Sequence, residues 1–159
     1  MKLTHLDEQG RPRMVDVGDK SVSAREATAE GAVRMSREAF ELIATEGVKK
    51  GDVLKVAEVA GTMGAKRTGE LIPLCHSLSL DLIQLEARLE PELPGVRVTA
   101  TAKATGRTGV EMEALTAVAV ACLTVYDMVK AVDRSMVIEE VRLLNKRGGT
   151  RGDWRRSES

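Results

Sequence analysis

Aromatic side chains are almost missing from this 159-residue chain, which has one Phe, one Trp and one Tyr. An RNA-binding sheet that stacks bases on strand aromatics is therefore a poor fit, and no nucleic-acid partner is expected. The core must instead be aliphatic and alanine-rich, which lets helices approach closely. Cysteine is as scarce: Cys75 and Cys122 form no CxxC pattern, which excludes a disulfide framework. Together with His5 and His76 they lack zinc-ligand spacing, so no metal site is expected. No Walker-type loop and no GxGxxG occur, so phosphates would have to be held by Lys and Arg side chains. The N-terminus, MKLTHLDEQG, has no apolar signal core. These absences predict a cytoplasmic protein without a membrane partner.

Charge of neither sign dominates. Lys and Arg number 24, Asp and Glu 24, and no global field steers the chain toward a polyanion. The distribution is uneven, however. Lys49-Lys50, Lys66-Arg67 and the tail from Lys146 to Arg156 are basic. Each alone reads as solvated surface; only their convergence in the fold would make an anion site.

What the chain does have is one long apolar stretch, TGVEMEALTAVAVACLTVYDMVKAVD, from Thr108 to Asp133. Thr108 followed by Glu111 suggests a capping box. The uncharged run from Ala114 to Tyr126 falls short of the ~20 residues that span a bilayer. It predicts a buried central helix with polar groups at both ends. Glu113 and Asp127 lie on one face, within about 40°, yet about 21 Å apart along the axis. One nucleotide-sized ligand cannot touch both in a single copy, so a site using both ends needs a second subunit.

The remainder predicts a single domain over 1–159. A loop-rich arm covers 1–20, and a Gly-rich basic tail over 147–159 is expected to be mobile. A strand is predicted over Ser21–Met35. Ser36 caps a helix closed by Gly47. Asp52 caps a second helix, whose Gly61 and Gly64 imply close packing. After Pro73, a strand from Leu78 to Leu89 carries a phase slip at Ile83 that suggests a β-bulge. A turn at Pro91–Gly95 leads to a strand from Val96, and Met136–Leu144 forms the last strand. The order β-α-α-β-β-α-β is a ferredoxin-like split βαβ plan with one extra helix. It predicts an α+β fold, an antiparallel sheet with helices on one face.

Polar constellations fall at element ends: Lys50, Lys66-Arg67, Cys75-His76, and the flanks of the central helix. Jointly they suit polyphosphate binding with proton transfer on a polar heterocycle. AKRTGELIPLCHSL (Ala65–Leu78), TGRTGVEMEALTA (Thr105–Ala117), LTVYDMVKAVD (Leu123–Asp133) and MVIEEVRLLNKRGG (Met136–Gly149) closely resemble the molybdenum cofactor biosynthesis protein C family, the cyclic pyranopterin monophosphate synthases. THLDEQGRPRMVDV and KKGDV extend the match over nearly the whole chain. Ser77 departs from it, standing where the family often has proline.

The resemblance implies conversion of the cyclised 8,3′-linked 7,8-dihydro-GTP to cyclic pyranopterin monophosphate, with release of pyrophosphate. It implies Asp127 as catalytic acid/base, Lys130 as its proton-transfer partner, and Lys50 with them. Lys66 and Lys146 match basic residues associated with the triphosphate or the chemistry. Leu74, Cys75, His76, Met112 and Glu113 match substrate-contact positions, with Arg25 and Glu111 as orienting residues. No cofactor is implied, although Mg²⁺ could accompany the phosphates. The partners implied are the nucleotide-derived substrate and further copies of the chain, in a hexamer built as a trimer of dimers with interfacial sites. A non-catalytic nucleotide-binding module is the alternative, and it would not need Asp127 and Lys130 together.

Overall fold

The computed structural model describes residues 5–157; parts of the predicted arm and tail at 1–4 and 158–159 lie outside them. Alternation builds the first strand, β1 (Ser23–Arg34), with Ala27, Ala29, Gly31 and Val33 on its buried face. Helices α1 (Arg37–Ala44) and α2 (Val53–Lys66) follow, then a short α3 (Thr68–Leu71). The hairpin of β2 (Leu82–Glu90) and β3 (Gly95–Gly106) leads to α4 (Glu111–Val129), β4 (Val137–Arg147) and β5 (Trp154–Arg155). The strands lie in the order β2-β3-β1-β4-β5, every pair antiparallel. This is the ferredoxin-like α+β arrangement expected, extended by one edge strand.

Helix α4 lies across β1, β3 and β4, and α2 packs on α4 and β2. Small residues set these distances. A Cβ on Gly31 would come 2.6 Å from the Val118 side chain, and one on Gly61 would come 2.7 Å from the Ala117 carbonyl oxygen. Ala114, Ala117, Ala121 and Cys122 are fully buried along α4. By length and composition α4 is apolar enough to cross a membrane; here it is the core helix, covered by the sheet and α2. The opposite sheet face is polar. Thr28 and Thr101 share a hydrogen bond of 3.0 Å, and Arg142 donates to Glu30 at 2.9 Å.

The predicted caps at Ser36 and Asp52 are present, accepting from the backbone N–H groups of Ala39 and Lys55. Asp133, in the turn after α4, accepts from the Ser36 N–H at 2.7 Å and from the Ser135 hydroxyl at 2.6 Å. Those bonds, Ser135's foremost, hold its carboxyl below the usual carboxylate range. Asp133 thus ties the start of α1 to the end of α4, and this stabilisation is lost as pH falls through its depressed value.

Several expected details are corrected. The residue preceding α4 is Val110, with no side-chain cap, so Thr108 forms no capping box. The left-handed residue after α1 is Glu46 (φ 54°) rather than Gly47. No bulge occurs at Ile83, because β2 begins only at Leu82 and pairs with β3 in unbroken register. Leu78 and Leu80 pack on the core from an irregular segment, which produced the apparent phase change. The sheet's irregularities lie instead between β1 and β4, after Thr28 and after Glu30. The tail turns back to pair β5 with Asn145 and Lys146 of β4.

Candidate active site

Two adjoining cavities open at the N-terminal end of α4. The smaller, about 280 Å³, is polar; Arg25, His76, Glu111 and Lys146 line it, together with the arm and the β4–β5 turn. The larger, about 750 Å³, is lined by Ile72, Pro73, Leu74, Cys75 and Met112. His5, His76, Thr108, Gly109 and Glu111 form a shared wall. Pro73 breaks the chain after α3, so Leu74, Cys75 and His76 face the cavities from a loop. The larger chamber is mainly apolar and the smaller one is rich in Lys and Arg.

Local contacts hold these side chains. A ring nitrogen of His76 lies 2.7 Å from the Val15 carbonyl oxygen, which secures the arm over the cavities. Within the arm a turn at Asp7 and a bridge between Leu6 and Pro12 supply the order. Lys146 lies 3.5 Å from the Glu111 carboxylate, and Arg25 donates to the Gly106 carbonyl at 3.3 Å. Burial, with the charges of Glu113 and Glu111, pushes the Cys75 thiol up, which disfavours the nucleophilic thiolate.

Glu113 sits behind the cavities, 2 % exposed, with one carboxylate oxygen lacking a hydrogen-bond partner. Burial pushes its carboxyl up, its own backbone N–H opposes this, and Glu111's charge adds to the rise. A desolvated carboxyl beside a polar cavity favours holding a proton. Glu113 lines neither cavity, and Lys66 is exposed at the end of α2, outside both.

The other constellation stands at the far end of α4. Lys130 Nζ lies 2.6 Å from Asp127 Oδ1, and Lys50 Nζ lies 3.3 Å from Oδ2. Lys50 also donates to the Asp127 carbonyl oxygen at 2.9 Å. Hydrogen bonds from Lys130 and then Lys50 hold the Asp127 carboxyl below its usual range. The three residues therefore form one exposed carboxylate gripped by two ammonium groups. Helix α4 is unbroken between Glu111 and Asp127, so the two constellations lie about 24 Å apart at 1.5 Å per residue. One chain brings together Asp127, Lys130 and Lys50, and separately Arg25, Leu74, Cys75, His76, Glu111, Met112 and Lys146; it does not join the two groups.

Sequence reasoning missed the cavity-lining cations Lys20, Arg107 and Arg151, and the turn at Gly148-Gly149. The basic run of the tail was the available signal, but its return to the cavity depends on β5.

A family model described as the MoaC family matches residues 14–149. Over 158 residues the chain is 56% identical to the cyclic pyranopterin monophosphate synthase of Chloroflexus aggregans, covering 99% of this chain and 96% of that one. It is 59% identical to the synthase of Cereibacter sphaeroides, covering 98% of each. With that of Parvibaculum lavamentivorans the identity is 54%, over 97% and 96% of the two chains. The two constellations thus sit in a sequence shared with these proteins almost from end to end, and the chain belongs to the MoaC family.

Proposed function

We propose that this enzyme of molybdenum cofactor biosynthesis converts the cyclised 8,3′-linked 7,8-dihydro-GTP to cyclic pyranopterin monophosphate and pyrophosphate, in the cytoplasm. Near-full-length identity to proteins named for that product supports the reaction. The observation that carries the chemistry is the carboxylate gripped by two ammonium groups at Asp127. The rearrangement opens and recloses rings and moves several protons, work suited to an acid–base pair one helical turn apart. Closing the cyclic phosphate requires a hydroxyl oxygen to attack the α-phosphorus while the bond to the pyrophosphate breaks. The charge developing on that leaving group needs fixed cations. Arg25 and Lys146 stand in the polar cavity for this, with Leu74, Cys75 and Met112 against the ring. The conversion is redox-neutral, and Mg²⁺ would serve only as a companion of the phosphates.

The two ends of α4 are too far apart for one substrate to bridge within a chain. The reading therefore includes assembly, as a trimer of dimers, in which a neighbour's Asp127, Lys130 and Lys50 meet the cavities of this chain. The C-terminal end of α4 offers that cluster on an exposed surface beside Leu123. A carrier module that binds without turnover is the alternative. The experiment supplies the purified cyclised dihydro-GTP and follows pyrophosphate and the tricyclic product. Stoichiometric formation of both is expected; binding with neither product formed would leave only the carrier reading.

A further inference from the structure

Asp133 is a buried carboxylate, 7% exposed, and its partners among the described residues are Ser36 and Ser135 rather than a Lys or Arg. A desolvated charge without a counter-ion is costly, so its presence calls for a reason. Both of its oxygens are occupied. Oδ2 accepts from the Ser36 N–H at 2.7 Å, and Oδ1 accepts from the Ser135 N–H at 2.8 Å and hydroxyl at 2.6 Å. A carboxylate accepts on both sides, whereas the amide of Asn has one acceptor oxygen and could not hold both serines.

The segments joined in this way carry the two ammonium groups of the Asp127 cluster. Lys130 is the residue on which α4 ends, three positions before Asp133. The N–H groups of Val132 and Asp133 both donate to the Val129 carbonyl oxygen, at 2.9 and 3.3 Å. The Tyr126 hydroxyl donates to the Arg134 carbonyl oxygen at 3.0 Å. The turn after Lys130 is thus fastened to the helix before it and, through Asp133, to Ser36. On the other side of that bond Ser36 starts α1, whose far end leads into the turn bearing Lys50. Helix α1 buries Ala39, Phe40 and Ile43 but lies along no other helix or strand, so the Asp133 bond sets how it meets the end of α4.

We propose that Asp133 is a positioning residue that sets Lys130 and Lys50 against Asp127. This rests on the synthase reading above, in which that carboxylate and its ammonium groups move the protons. Misplacing a reacting group by about 1 Å can cost about 10²-fold in rate. The test compares wild type, Asp133→Asn and Ser36→Ala by NMR titration of the Asp127 carboxyl and by steady-state turnover of the cyclised dihydro-GTP. Ser36→Ala removes the hydroxyl that caps α1 but keeps the N–H given to Asp133, so it weakens the same joint without cutting the tie. Deleting a negative charge by itself lowers the Asp127 carboxyl further; freeing the ammonium groups that hold it down raises it toward 3.8. An upward shift in Asp133→Asn alone is expected. In that variant kcat falls about 10–10²-fold with KM unchanged, since the cavities still bind the substrate. An unmoved Asp127 titration in Asp133→Asn, an equal shift in Ser36→Ala, or a wild-type kcat in Asp133→Asn would overturn the assignment. A wild type without turnover ends the synthase reading, and the titration then decides on Asp133 by itself.

Discussion

Asp127→Asn and Lys130→Ala are each expected to lower product formation by about 10²–10⁴-fold, the usual contribution of a positioned acid or base, without loss of fold. Asp127 is exposed, with 59% of its side chain accessible, as is Lys130 at 52%, so neither change empties the core or strands a buried charge. Asn keeps the shape of Asp127 but removes the charge both ammonium groups face. Lys50 keeps its bond to the residue 127 carbonyl oxygen, so the substitution separates charge from position. Lys130→Ala removes the shorter of the two contacts to the carboxylate. Because those ammonium groups hold Asp127 below the ordinary 3.8, its carboxylate stays ionised at neutral pH and through mild acid. Any limb of the pH–rate profile that belongs to Asp127 therefore falls on the acid side of 3.8. Single-turnover release of pyrophosphate, beside melting curves, measures the effect. Wild-type turnover by either variant would remove these residues from the chemistry.

Gly61→Ala is expected to destabilise the fold by about 1–3 kcal/mol, the range for overpacking. The sign is the informative part. Alanine is the better helix former by about 1 kcal/mol, so on a loosely packed helix the change would stabilise. Here the new methyl would meet the Leu85 side chain at 2.3 Å and the Ala117 carbonyl oxygen at 2.7 Å. A backbone oxygen cannot rotate aside, and α2 would have to lift from α4. Gly64→Ala provides the comparison: the atoms nearest its new methyl belong to the Val120 side chain, from 2.7 Å, with no backbone oxygen among them, and a smaller loss is expected. Denaturant unfolding gives both values. A Gly61→Ala protein at or above wild-type stability would contradict the close packing of α2 on α4.

The sequence made these glycines readable because two of them inside an amphipathic helix need a reason, and close approach is the usual one. The caps at Ser36 and Asp52, the β1 alternation and the buried α4 were legible for the same cause: each follows from local side-chain chemistry. What escaped depends on distant partners. Strand β5 is two residues long and exists only by pairing with β4. Leu78 and Leu80 imitate a strand because a loop buries them against the core. Lys50 reaches Asp127 across 77 positions; the family resemblance grouped the two residues, but no spacing rule reveals their contact. Arg151 belongs to the basic tail, which alone reads as solvated surface, and Arg107 stands outside every basic cluster of the sequence; the fold places both at one cavity.

Subunit complementation tests the shared site most directly. His76→Ala removes a group from the cavity end of α4 and Asp127→Asn one from the other end. The two inactive proteins are unfolded and refolded together, then supplied with the cyclised dihydro-GTP. If each site draws its two ends from different subunits, random pairing restores one intact site in half of the dimers, about a quarter of wild-type activity. Mixed assemblies that form but remain as inactive as their parents would contradict the account.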